Sequence, residues 1–272
     1  MNPEVKQKWS RALKITIAMY CVTGITLWQL QDSLLFHPTP LPVHYQFHFK
    51  HKFRELLLPL NEHDRLSVVQ FYPLDSLHSK GIVLYFHGNR ENINRYARFA
   101  NDFLNAGYEV WMMDYPGYGK SKGERTEQRF YNDADLLYQM TLKQVGADSI
   151  IIYGKSLGTG VASQLASEKK CKRLILETPY HSIPSLAWFH FPVYPTSYMV
   201  RFQFPVYKYL PEVKAPVTIF HGTRDQLIPY RYALDLKELL KPGDEFVTIR
   251  GGSHNDLADY DTYHQQLAAA LK

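Results

Sequence analysis

The run Ser149-Ile150-Ile151-Ile152-Tyr153-Gly154-Lys155-Ser156-Leu157-Gly158-Thr159-Gly160 constrains this chain most, because an apolar, β-branched strand leads straight into Gly-x-Ser-x-Gly. A strand that reverses into a helix within a few residues forces the central residue into a strained conformation and leaves no room for side chains beside it. Gly154 and Gly158 meet that demand. The turn then holds the Ser156 hydroxyl over the N-terminus of the next helix, whose free N–H groups favour negative charge. By itself such a motif also fits a tight strand-to-helix turn with no chemistry, so its surroundings decide.

A serine hydroxyl is a weak nucleophile at neutral pH and needs a histidine base, itself oriented by a carboxylate, in the chain order serine, acid, histidine. Both partners occur in that order. Pro216–Gly222 reads as a buried strand, and the polar loop after it carries Asp225 as the candidate acid. Glu245–Arg250 reads as a further strand, followed by Gly251-Gly252-Ser253-His254-Asn255-Asp256, with His254 as the candidate base. In an open parallel sheet, catalytic groups gather outside the carboxyl ends of strands, where all three residues fall. Earlier, Gly81–Phe86 runs into His87-Gly88-Asn89. Acyl transfer needs two backbone donors aimed at the tetrahedral oxyanion, and the amides of Leu157 and Asn89 are the candidates. His87 is expected to shape that loop rather than act as a second base.

These motifs, together with Asp114-Tyr115-Pro116-Gly117-Tyr118-Gly119-Lys120-Ser121, resemble the α/β-hydrolase superfamily and, within it, a membrane-anchored, serine-aminopeptidase-like branch. The resemblance covers roughly Leu56 to Leu271. It implies a mostly parallel central sheet flanked by helices, with Ser156 as nucleophile, Asp225 as acid, His254 as base, and Asn89 with Leu157 as oxyanion donors. It also implies hydrolysis of esters, thioesters, amides or lipids without a metal or organic cofactor. Lys155, beside the nucleophile, receives no role.

A chain of 272 residues suits one large α/β domain. Apolar strand candidates alternate with helical windows at 92–106, 124–145, 157–169, 230–241 and 256–271, which argues for a mostly parallel sheet. Phe53–Pro59 and Leu66–Pro73 are expected to form an antiparallel start to it. Asp114, an alternative acid on composition alone, is read as holding the glycine-rich 114–123 connection by hydrogen bonds.

The N-terminus differs in kind. After the basic flank 1–14, with Lys6, Lys8, Arg11 and Lys14, the segment 15–30 carries no charge. As a helix it spans about 24 Å, slightly short of a ~30 Å hydrocarbon core, with Lys14 able to snorkel and Trp28 suited to the interface. No cleavage-like site follows it, so an uncleaved single-pass anchor is expected, with a signal peptide and an amphipathic or buried helix as rivals. The basic flank places the N-terminus in the cytosol and the catalytic domain beyond the membrane, in a bacterial periplasm or an organelle lumen. Residues 31–52 are expected to be a linker and 53–272 the hydrolase domain. On that division, a chain beginning near Asp32 keeps every catalytic loop.

Of the two cysteines, Cys21 lies in the apolar segment and Cys171 stands alone in the domain, which excludes an intradomain disulfide and a cysteine metal site. A net charge of +5 leaves no nucleic-acid footprint once the membrane flank is set aside. His44, His48 and His51 lack neighbouring carboxylates or cysteines and read as solvated. The stretch 181–215 is crowded with aromatic residues and is where this scaffold inserts a lid; six prolines from 184 to 216 predict short helical pieces. Tyr180 and Trp188 are the substrate-contacting candidates. The expected activity is that of a membrane-anchored serine hydrolase acting on small-molecule or lipid esters or thioesters. An amidase or peptidase on the same triad, and a non-catalytic membrane scaffold, are the alternatives; oligomeric state is left open.

Overall fold

The structure is a computed structural model that describes residues 3–75 and 78–272. In chain order the elements are α1 (Pro3–Leu35), β1 (His37–Pro38), β2 (Phe53–Pro59), β3 (Arg65–Phe71), β4 (Ile82–Phe86), β5 (Arg90–Glu91), α2 (Ile93–Tyr96), α3 (Asn101–Asn105) and β6 (Glu109–Met113). There follow α4 (Glu127–Leu142), β7 (Ile150–Lys155), α5 (Gly158–Glu168), β8 (Arg173–Glu177), α6 (Ile183–His190), α7 (Thr196–Met199), α8 (Val206–Tyr209), β9 (Val217–Gly222), α9 (Tyr230–Lys237), β10 (Glu245–Ile249) and α10 (Asp261–Ala270).

Eight strands form one sheet in the order β10-β9-β8-β7-β4-β6-β3-β2. β2 and β3 pair antiparallel, with Phe53 opposite Phe71, and β3 is antiparallel to β6. From β6 to β10 every neighbouring pair is parallel. The apolar runs are explained by burial of both faces. Ile82, Leu84 and Phe86 point into one core layer with α4 and α5, while Val83 and Tyr85 point into the other with α3 and α10. Strands alternating with helices therefore produced the architecture their order predicts, with the catalytic loops at the carboxyl edge.

Helix ends follow local chemistry where it is strong. Thr126 caps α4 by accepting from the Arg129 amide at 3.2 Å. The window 92–106 is not one helix: it divides into α2, a 3₁₀ turn at Ala97–Ala100 and α3. The C-terminal window begins with a 3₁₀ turn at Leu257–Asp259 before α10. Between β8 and β9 the prolines do break the lid into the short helices α6, α7 and α8.

The N-terminal region departs from its expected boundaries. α1 is 33 residues long and runs past the apolar segment 15–30 at both ends. It is the one helix among the described residues long and apolar enough to cross a membrane. Residues 31–52 are not a free tether. The last residues of α1 reach the domain, β1 pairs with β5, and Phe36 and Phe47 are buried in the two core layers. Phe36 lies against Phe202 of the lid at 4.7 Å and Phe130 of α4 at 5.6 Å between ring centroids. A spacing argument sees aromatic residues in a Pro- and His-rich stretch; only the folded sheet supplies the cavity they fill.

Candidate active site

Ser156 sits at the tip of β7 with φ of +50°, a left-handed conformation that costs a non-glycine residue energy and persists only where its surroundings enforce it. The enforcement is visible. A Cβ at Gly158 would lie 2.1 Å from the Phe86 carbonyl, and one at Gly154 would lie 2.6 Å from the Gly158 carbonyl. The Ser156 amide donates to the Glu177 carbonyl of β8 at 2.9 Å, and its carbonyl accepts from the Thr159 amide at 2.9 Å and the Thr159 hydroxyl at 2.6 Å. The hydroxyl is thereby held over the start of α5.

Ser156 Oγ lies 2.9 Å from His254 Nε2, and His254 Nδ1 lies 2.8 Å from Asp225 Oδ2. All three side chains are buried. Asp225 Oδ1 accepts from the amides of Leu227 (2.9 Å) and Ile228 (2.8 Å), which fixes the carboxylate. Burial opposes ionisation of Asp225, but the His254 and Ile228 hydrogen bonds and the His254 charge outweigh it and hold the carboxyl below its ordinary range. The ionised carboxylate then accepts a hydrogen bond from Nδ1–H, which keeps the proton on that nitrogen and leaves Nε2 to accept from the serine hydroxyl. The acid and base loops are cross-braced. The Arg224 amide donates to the Gly252 carbonyl at 2.8 Å and the Gly251 amide to Thr223 Oγ1 at 2.9 Å, so the two loops are tied to each other by one backbone bond and one bond to a threonine side chain.

The Asp114 carboxylate bonds outside the 114–123 connection it was expected to hold, where its backbone carbonyl instead accepts from the Ser121 hydroxyl at 2.6 Å. Its Oδ1 accepts from the Ile93 amide at 2.9 Å and faces His87 Nε2 at 3.4 Å. Burial raises its pKa. His87 donates from Nδ1 to the Gly88 carbonyl at 2.7 Å and so shapes the loop before Asn89. Among the described residues, no protein group accepts the amide of Leu157 or of Asn89. Asn89 and Leu157 line the same cleft as Ser156.

That cleft, about 290 Å³, is apolar. Tyr180 lines it and donates its hydroxyl to the Leu157 carbonyl at 3.0 Å. Trp188 does not line it: the indole stands on the outer side of α6, 52% exposed. Its neighbours Leu186 and Ala187 take the inward positions because a helix turns 100° per residue. The wall that sequence reasoning missed is α1. Leu27, Trp28, Gln31, Leu34 and Leu35 line the cleft. Their spacing of i, i+1, i+4, i+7, i+8 marks one helical face, and the single Gln31 within it was the available signal. Gln31 clasps the lid, accepting from the Arg201 amide at 2.7 Å.

Two further groups flank the triad. Lys155 forms a buried ion pair with Glu177, which also accepts from the Tyr153 hydroxyl and, at 2.9 Å, from the Tyr263 hydroxyl. Burial works against the Glu177 charge, but Lys155 and the two hydroxyls pull its pKa below the usual range. His221, one turn of loop from Asp225, donates from Nε2 to the Ile228 carbonyl at 2.9 Å; burial lowers its pKa.

A parallel sheet with a serine on a strained strand-to-helix turn and a histidine within reach defines the α/β-hydrolase class of fold, and the chain has that fold. Residues 78–204 match the family described as "Serine aminopeptidase, S33". The chain is similar to alpha/beta hydrolase domain-containing protein 17C of Mus musculus, at 30% identity over 195 residues, covering 70% of this chain and 59% of that one. It is also 28% identical to alpha/beta hydrolase domain-containing protein aho-3 of Caenorhabditis elegans, covering 76% and 62%. The chain thus spans about three-fifths of the length of these relatives. Its fold is shared with an esterase of Pyrococcus furiosus (TM-score 0.66, 17% identity, 87% of this chain and 97% of that one). A soluble variant of monoglyceride lipase from Saccharomyces cerevisiae also shares it (TM-score 0.65, 16% identity, 85% and 98%).

Proposed function

We propose that this protein is a membrane-anchored serine hydrolase that cleaves carboxylic esters or thioesters through an acyl-enzyme. The observation that carries the reading is the relay of Ser156, His254 and Asp225 at 2.9 and 2.8 Å, with the serine at a φ of +50°. As Ser156 Oγ attacks the carbonyl carbon, His254 Nε2 takes its proton, and Asp225 stabilises the imidazolium. The amides of Leu157 and Asn89 receive the developing oxyanion. His254 then returns the proton to the leaving alkoxide or thiolate, and the acyl group stays on Ser156. Water activated by the same imidazole releases the acid and restores the serine.

The apolar cleft favours an acyl chain over a charged peptide terminus, and the esterase and lipase names among the fold's neighbours agree with it. Segment 15–30 of α1 supplies the anchor, and its basic flank puts the catalytic domain on the side away from the cytosol. The test is a fluorophosphonate probe applied to the full chain. Labelling of the wild type that disappears in Ser156→Ala is expected; a wild type that stays unlabelled while properly folded refutes the reading. Retention in the membrane fraction after carbonate washing tests the anchor.

A further inference from the structure

The lid is fastened to the middle of the apolar segment of α1, not to its end. The Tyr20 and Tyr194 rings stack at 4.7 Å. Tyr20 donates its hydroxyl to the Val193 carbonyl at 3.0 Å, and Tyr194 donates its hydroxyl to the Tyr20 carbonyl at 3.1 Å. Gly24 is the one buried residue of α1 among those described, and a Cβ there would lie 3.0 Å from the Tyr194 ring. At 1.5 Å per residue, Gly24 and Tyr20 stand about 9 and about 15 Å along the axis from Leu30. A helix that holds 15–30 in hydrocarbon therefore takes Val193 and Tyr194 in with it.

The lid has the chemistry this position requires. No Asp, Glu, Lys or Arg occurs between Glu177 and Arg201. Tyr198 is 91% exposed, Val193 69% and Trp188 52%, which is an unfavourable surface in water and a fitting one in lipid. The reciprocal bonds between Tyr20 and the 193–194 turn satisfy polar groups within the protein, which is the condition a bilayer interior sets. Charge returns only at the domain end of the segment, where Arg201 pairs with Asp32 at 2.8 Å. The cleft lies between these two walls, with Leu27 and Leu34 on one side and Leu186 and Met199 on the other.

We propose that the 188–199 turn of the lid is a second membrane-inserted element, held against α1 in the same leaflet. The cleft then takes a membrane-resident long-chain acyl ester sideways out of the bilayer. The substrate half rests on the hydrolase reading above; the insertion half does not.

The test uses the full chain in vesicles of phosphatidylcholine and phosphatidylglycerol. A bimane label at Tyr198→Cys, in a Cys21→Ser, Cys171→Ser background, is expected to lose at least half its emission to lipids doxyl-labelled on the acyl chain. The same label at Glu62→Cys, on the exposed β2–β3 turn, is expected to lose none. A Tyr198 label that emits as in water and is not quenched overturns the insertion. The double variant Val193→Glu, Tyr198→Lys, altered outside the cleft, is expected to hydrolyse p-nitrophenyl acetate at the wild-type rate in detergent. Its rate on vesicle-borne p-nitrophenyl palmitate is expected to fall tenfold or more. Equal wild-type rates on both esters overturn lateral entry. A wild type that cleaves neither ester removes the hydrolase reading and the substrate with it, while the quenching result is decided separately.

Discussion

The side-chain amide of Asn89 donates to the carbonyl of Leu35 at 2.9 Å, tying the loop of the proposed oxyanion donor to the last residue of α1. The helix proposed as the anchor is thus also a brace for the candidate active site. A chain beginning near Asp32 keeps the loops of Ser156, Asp225 and His254 but loses Leu27, Trp28 and Gln31 from the cleft wall.

Asn89→Ala retains the backbone amide and removes this brace. A net hydrogen bond contributes about 1 kcal/mol to stability, so Tm should fall by about 2–4 °C, and kcat on a short p-nitrophenyl ester should fall because the loop amide is no longer held against α1. Wild-type kcat in the variant would show that the loop is held without Leu35.

Asp225→Asn should lower kcat by ~10⁴ at nearly constant Tm, because the imidazole tautomer is no longer enforced. Asp114→Asn should act on stability, since it contacts the Ile93 amide and His87 and not His254. Steady-state kinetics beside thermal melting separates the two. Catalytic loss at unchanged Tm in the Asp114 variant alone would reverse the assignment.

Lys155→Met leaves Glu177 charged and buried against two tyrosine hydroxyls. Breaking a buried pair costs about 3–5 kcal/mol, to be read from urea denaturation. Lys155→Met with Glu177→Gln should recover much of the loss, because no uncompensated charge remains.

His221 is held neutral by burial, so its folded pKa lies below the unfolded value of 6.5. Its contribution to stability is present above pH 6.5 and is lost as pH falls through the folded value, because the unfolded chain takes up the proton first. Tm should therefore decline between pH 7 and pH 5, and the decline should be shallower in His221→Gln. Asp225 and Glu177, both shifted down, add a second loss only below the ordinary carboxylate range.

The sequence by itself determined the features set by neighbours along the chain. Two glycines around Ser156 define a turn no larger residue could form, and the order of strands and helices defines the parallel sheet. The β2–β3 hairpin lies where two apolar runs flank the polar turn 61–64, and prolines divided the lid. Asp225 and His254 were legible because strand ends are local signals and a parallel sheet gathers them along one edge. Tertiary structure alone decided what faces what. Trp188 and Leu186 stand in the same aromatic stretch, and only the seating of α6 turned one outward and the other to the cleft. The apolar residues of α1 suit the proposed membrane span and also line the cleft. Hydrophobic burial is non-directional, and the partner of each face is chosen by contacts more than 150 residues away, such as those of Tyr20 with Val193 and Tyr194.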